Sequence, residues 1–183
     1  MFQIWTILLL LAPFPGHQET KPGAAADPWA PLRFMVGTWR GQSRGEPGQG
    51  TSERTYQFEF GETFLHIHNK GVYPAQPKNP KGEVHQDTGF FSYDKSRKRL
   101  VLRQFHSEGF VNQYVEDPAA SDGKSLVFVT EAIENIPASW RARETYRPIG
   151  PDEFIETFSL AAPGKDFTTY TECRLRRVKP EER

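Results

Sequence analysis

The stretch Thr51-Ser52-Glu53-Arg54-Thr55-Tyr56-Gln57-Phe58-Glu59-Phe60 decides the fold class. Tyr56, Phe58 and Phe60 alternate with Thr55, Gln57 and Glu59, and a period of two marks a β-strand with one buried face. A helix needs apolar residues three and four apart, and no stretch from Gly37 onward sustains that spacing. Working outward, short aromatic and β-branched runs recur between clusters of Gly, Pro, Asp and Ser. The spacing predicts strands over Thr38–Arg44, Thr51–Phe60, Thr63–Lys70, Val84–Tyr93, Arg99–His106, Phe110–Glu116, Ser125–Ile133, Ser139–Arg147, Glu153–Ala161 and Asp166–Val178. One helical turn is predicted over Trp29–Met35, entered at Asp27-Pro28, where Asp caps and Pro suits the first turn.

The links between these strands are of hairpin length, and no helix is available for a parallel crossover. The expected fold is therefore all-β: an antiparallel up-and-down barrel of about ten strands with a short N-terminal helical turn. A barrel of that size has room for one small ligand and not for a channel. Alternation predicts an inward set of Trp39, Phe58, Phe64, Phe128, Trp140, Phe154 and Phe158.

The 183 residues suit one domain, and 23 Lys plus Arg balance 23 Asp plus Glu. Zero net charge gives no electrostatic footprint for nucleic acid or an anionic membrane surface. Cys173 is the one cysteine, which excludes an internal disulfide and a four-thiolate zinc site. Ile4 to Phe14 is an almost unbroken apolar run, long enough for a signal segment and too short to span a bilayer. Processing is expected after Gly16 or after Ala24-Ala25-Ala26, although Met1-Phe2-Gln3 brings no Lys or Arg; the competing reading is an apolar tail packed on the barrel. The expectation is a secreted or periplasmic protein without a stable membrane anchor once cleaved. Residues 1–26 would be leader and linker, 27–178 the barrel, and 179–183 a polar tail.

Histidines carry most of the chemical signal. His66 and His68 lie two apart, so they share a face of one strand. If Asp94 to Arg97 forms a four-residue hairpin loop, Tyr93 pairs with Lys98 and His85 lands beside His106. The midpoint of the preceding loop brings His68 near residue 84 or 85, gathering His68, His85 and His106 at one end of the barrel. A one-residue change in loop length would scatter them. Such a group can bind a metal, touch a haem edge or act as an acid–base site, and it can equally be a rim bonded to backbone and water. Glu144 and Glu156 share parity with the aromatics of their strands and are expected inside, with Arg103 and Arg143 as candidate partners and Tyr170 near Glu156. No nucleophile elbow, phosphate loop, dinucleotide fingerprint or zinc-protease helix occurs. The glycines of Gly41–Gly50 lie between two strands, so they are assigned to a hairpin turn.

Pro31-Leu32-Arg33-Phe34-Met35-Val36-Gly37-Thr38-Trp39-Arg40-Gly41 resembles the opening of nitrobindin-like proteins, which are haem-binding barrels of the calycin type. His85-Gln86-Asp87-Thr88-Gly89-Phe90 is similar to a His-x-acid-x-Gly strand of that family, and Arg174-Leu175-Arg176-Arg177 to its closing strand. The resemblance implies a ten-stranded barrel with haem as cofactor, held in the family by a histidine of the last strand, and related members isomerise peroxynitrite. Aligning Leu175 and Arg177 puts Tyr170 at that histidine's place, which makes Tyr170 the candidate axial ligand. The function expected is binding of haem or another apolar small molecule by Thr38, Trp39, His66, His68, His85, Arg103, His106, Glu144 and Tyr170. The alternatives are a His-centred enzyme acting on a small anion and a barrel with a filled core.

Overall fold

A computed structural model describes residues 27–179. The expected leader, residues 1–26, and all but the first residue of the expected tail lie outside the described residues. A short 3-10 turn, Arg33–Met35, precedes ten strands: β1 (Gly37–Gly45), β2 (Gly48–Glu59), β3 (Phe64–Tyr73), β4 (Glu83–Asp94), β5 (Arg99–His106), β6 (Val111–Glu116), β7 (Leu126–Glu134), β8 (Arg141–Gly150), β9 (Glu153–Ala161) and β10 (Thr168–Arg177). Each strand pairs antiparallel with its neighbours in the chain, and β10 returns to β1, closing the barrel. The up-and-down barrel predicted from alternation is the fold.

Strand β1 meets β2 in a tighter turn than expected, because Gly45 pairs directly with Gly48. The glycine-rich stretch is mostly strand and not turn. Gly48 does need its freedom: its φ is +103°, and a Cβ there would sit 2.2 Å from Gln76 Oε1.

One end of the barrel is filled and closed. Trp29, Leu32 and Met35 pack on Trp39, Tyr56, Leu65, Phe91, Phe128, Tyr146, Phe154 and Leu175, all buried. Trp39 Nε1 donates to the Met35 carbonyl at 2.6 Å, and its ring meets Phe154 edge-on at 4.7 Å. Arg177 locks this end: its guanidinium lies 4.1 Å from the Trp39 ring, donates to the carbonyls of Phe34 and Val36, and pairs with Asp152 at 2.8 Å. Since the strands run alternately up and down, the β1–β2, β3–β4, β5–β6, β7–β8 and β9–β10 hairpins all lie at the opposite end.

The interior confirms most of the expected inward set and corrects one member. Trp39, Phe128 and Phe154 are buried, and Phe58 and Phe158 pack against the core. Trp140 sits just before β8, partly exposed. Phe64 faces outward, between Phe60 and Phe90 at ring distances of 6.2 and 6.3 Å. The reason lies in register: Phe58 is opposite Leu65, and partners across a ladder share a face. With Phe58 inside, Leu65 and Ile67 are inside and Phe64 is out.

Closure requires β1 to approach β10 closely at Gly41, where an added Cβ would lie 1.8 Å from the Arg174 carbonyl oxygen. Gly150 has open space around the same position. Gly41→Ala is expected to lower unfolding free energy by about 1–3 kcal/mol through overpacking, and Gly150→Ala by less than about 0.5 kcal/mol. Urea denaturation of the two variants checks this; equal effects would show that the β1–β10 approach is not tight.

Candidate functional site

Beyond the filled half, the barrel opens into a cavity of about 410 Å³. Its walls carry Phe110, Ile133, Trp140, Phe158, Leu160 and Tyr170, and its floor carries Arg54, Asn69, Asp87, Gln104, Asn112, Glu144 and Glu156. An apolar wall above a few convergent polar groups is the usual build of a small-molecule site.

Arg54 of β2 and Glu156 of β9 cross the interior as a buried ion pair. Arg54 Nη2 donates to Glu156 Oε1 at 2.6 Å, its Nε reaches both carboxylate oxygens at 3.1 Å, and Tyr56 Oη adds a bond at 3.3 Å. Arg54 is the partner that neither Arg103 nor Arg143 provides, because those two face outward. Arg103 donates to Gln113 at 3.1 Å, and the Arg143 guanidinium lies 4.6 Å from the Phe167 ring. Glu144 is buried nearby with Oε2 unpartnered. Burial, reinforced by the charges of Glu156 and Asp87, pushes its carboxyl well above the usual carboxylate range.

The second polar group centres on Asp87 of β4. Its Oδ1 accepts from Asn69 Nδ2 at 2.8 Å and Gln104 Nε2 at 3.0 Å, while Oδ2 faces His85 Nε2 at 3.4 Å. His85 Nδ1 lies 2.7 Å from Glu108 Oε1. Burial works against charge on His85, but hydrogen bonds to Asp87 and Glu108 outweigh it and raise the ring to about 9. His106 goes the other way, to about 4, because burial dominates and the neighbouring His85 charge adds to it. The two rings lie 5.4 Å apart, and His106 stacks on Phe110 at 4.0 Å.

The histidine expectation is thus met in part. The β4–β5 loop has four residues, Lys95–Lys98, so Asp94 pairs with Arg99 and Asp87 with His106. This register differs by two residues from the expected one, which preserves parity, and His85 and His106 remain neighbours on one face. His68 pairs with Thr88, not with residue 84 or 85, and shares that residue's outer face, exposed to solvent. His66 shares that outer face, bonded to Thr88 at 2.8 Å and stacked on Phe90 at 4.6 Å. Thr38 and Arg103 are also on the outer surface, and Trp39 belongs to the filled half. Of the nine expected ligand residues, His85, His106, Glu144 and Tyr170 line the cavity. Arg54, Asp87, Asn69, Gln104 and Asn112 join them as lining residues outside the expected set. The sequence did hold a signal for two of them: Asp87 is two residues from His85, and Arg54 shares parity with Tyr56.

Tyr170 sits at a register irregularity between Thr169 and Thr171, which brings both it and Thr171 to the cavity. It meets Phe158 edge-on at 5.9 Å. Burial, then the charges of Glu83, Glu46 and Glu108, raise its phenol above the ordinary range. Cys173, a packed residue of β10, is similarly pushed up to about 11 by burial.

These contacts bear on haem. A tyrosine ligates iron as phenolate, and burial beside Glu83, Glu46 and Glu108 raises the Tyr170 phenol, so ligation would have to displace its proton. His85 has a carboxylate at each ring nitrogen, and both His106 nitrogens lie within 3.4 Å of a neighbour, His85 or Asn112. Among the described residues β10 carries no histidine, and Tyr170 stands where the family resemblance places one. The five carboxyl residues Glu83, Asp87, Glu108, Glu144 and Glu156 line the cavity against Arg54 and the His85 cation, a balance that disfavours a small anion.

A hollow ten-stranded barrel with one closed end defines a calycin-type, ligand-binding class of protein. Residues 29–177 match the THAP4-like, heme-binding beta-barrel domain, and the chain belongs to that family. This agrees with the nitrobindin-like resemblance of its opening and closing strands. The fold is similar to the crystal structure of Rv2717c from M. tuberculosis, with TM-score 0.62 and 19% identity over 84% of this chain and 99% of that one. Among curated proteins none matches.

Arg54→Met is expected to destabilise the protein by about 3–5 kcal/mol, because it leaves the Glu156 carboxylate buried and unpaired. Replacing both members, Arg54→Met with Glu156→Met, is expected to recover most of that loss. Urea unfolding of the single and double variants measures it; a double variant no more stable than the single one would refute the pairing argument.

Proposed function

We propose that this barrel is a receptor for one small, largely apolar molecule, seated between Phe110, Phe158, Leu160 and Trp140 with its polar end toward the floor. The observation that carries the reading is the cavity of about 410 Å³ with apolar walls above a polar floor. Apolar burial at about 25 cal/mol per Å² supplies the affinity. Membership of a haem-binding family supports a porphyrin-type macrocycle as the ligand class. The proposal differs from a simple transfer of the family property in one respect: the walls hold the macrocycle, and no side chain ligates its iron.

Titration with hemin and with iron-free protoporphyrin separates these ideas. The two are expected to bind with dissociation constants within about tenfold of each other, or about 1.4 kcal/mol. Tyr170→Phe is expected to leave both unchanged, and Phe158→Ala to weaken both. Strong preference for hemin, abolished by Tyr170→Phe, would restore the tyrosine as axial ligand. Binding of neither compound would remove the porphyrin class.

The proposal includes export, supported by the apolar run Ile4–Phe14. N-terminal sequencing of protein from the secreted or periplasmic fraction is expected to begin after Gly16 or Ala26. Recovery of the intact chain from the cytoplasm alone would overturn this.

A further inference from the structure

We infer that His85, Asp87 and His106 form a binding site for a single divalent transition-metal ion of the zinc type in the cavity lining. The inference goes beyond the ligand-receptor reading and does not depend on it.

Spacing is the first argument. His85 Nε2 lies 3.4 Å from Asp87 Oδ2 and 3.4 Å from His106 Nδ1, and the donor atoms of the three residues lie within 4.8 Å of one another. A tetrahedral ion with bonds of about 2.0–2.1 Å holds its donors about 3.3–3.4 Å apart. The neighbouring set Glu83, His85 and Glu108 is also compact, but it is less apt. There His85 Nδ1 and Glu108 Oε1 stand 2.7 Å apart, a hydrogen-bond distance too short for two ligands of one ion.

Orientation is the second argument. Metal-binding histidines are typically held through the ring nitrogen that does not ligate, and ligating carboxylates are themselves hydrogen-bonded. Glu108 engages Nδ1 of His85 and so aims Nε2 at Asp87 and His106. Asn69 and Gln104 both bond Oδ1 of Asp87, leaving Oδ2 for the shared point. Phe110 stacks on the His106 ring and fixes its plane. Hydrogen bonds thus turn the donor atoms of His85 and Asp87 toward one centre, and stacking holds the His106 ring beside it.

Donor chemistry selects the ion. Two imidazoles and one carboxylate suit zinc or iron(II), whereas calcium and magnesium take oxygen ligands. Three protein donors leave one position, and all three residues line the cavity, so that position takes water or an oxygen of a bound ligand.

The test uses the full chain, stripped of metal with a chelator and dialysed. Zinc is titrated by calorimetry, and cobalt(II) is added separately to read ligand-field bands in the visible spectrum. One equivalent of each ion is expected, with tetrahedral-type cobalt bands. His106→Gln and Asp87→Asn are each expected to weaken zinc at least tenfold and to lose the bands, while His68→Ala, on the outer wall, changes neither. Circular dichroism confirms that the variants fold. Should a variant unfold, Glu108→Gln supplies a second reading, with weakened zinc uptake but cobalt bands retained. Uptake below one equivalent, or uptake equally strong in folded His106→Gln and Asp87→Asn, would overturn the site. Porphyrin binding is measured separately, so its failure leaves this result untouched.

Discussion

The ladder between β1 and β10, from Trp39 opposite Arg177 to Gly45 opposite Thr171, is the constraint on which the molecule depends. An open sheet of ten strands would have two free edges and no defined inside. Closing it makes each strand's alternation a statement about interior and surface. The Arg177 side chain extends the same contact, tying the last strand to the 3-10 turn and to Trp39. Closure and the capping of one end are thus achieved by neighbouring groups of one strand.

Closure alone does not produce a cavity. The closed half is filled because large side chains from opposite walls meet: Trp39 with Phe154, and Phe128 with Phe91 and Tyr146. The Arg54–Glu156 pair contributes to the floor of the hollow half, where small or polar residues such as Gly71, Asn69 and Thr171 leave space between the aromatic walls. The pair keeps both charges satisfied against each other, which is the condition for tolerating them at such depth. Side-chain volume therefore divides the barrel into a packed part and a hollow part.

The chain shares the frame of a haem-binding family and departs from the resemblance at one position of the last strand. The shared features are the opening Gly37-Thr38-Trp39, the ten strands and the closing Arg-Leu-Arg-Arg run. The departure lies on β10, where Tyr170 stands at the place the resemblance gives to a histidine, while His85 and Asp87 of β4 belong to a stretch similar to the family's. A family fold fixes the hollow, and the side chains on its wall decide what is held there.

The sequence by itself determined the strands, their antiparallel order and the face each residue takes relative to others on the same strand. Period-two alternation is a local property, so Trp39, Phe154, Glu144 and Glu156 were legible as inward. Only the tertiary structure decided which strands' faces meet. Register depends on loop length, and a shift by an odd number of residues exchanges inside and outside. That is why His85 and His106 stayed together through a slip of two, while His68, opposite Thr88 and not residue 85, turned to solvent and Phe64 followed its partners outward. Arg54 and Glu156 are 102 residues apart in the chain, and their meeting follows from closure, which no local pattern encodes.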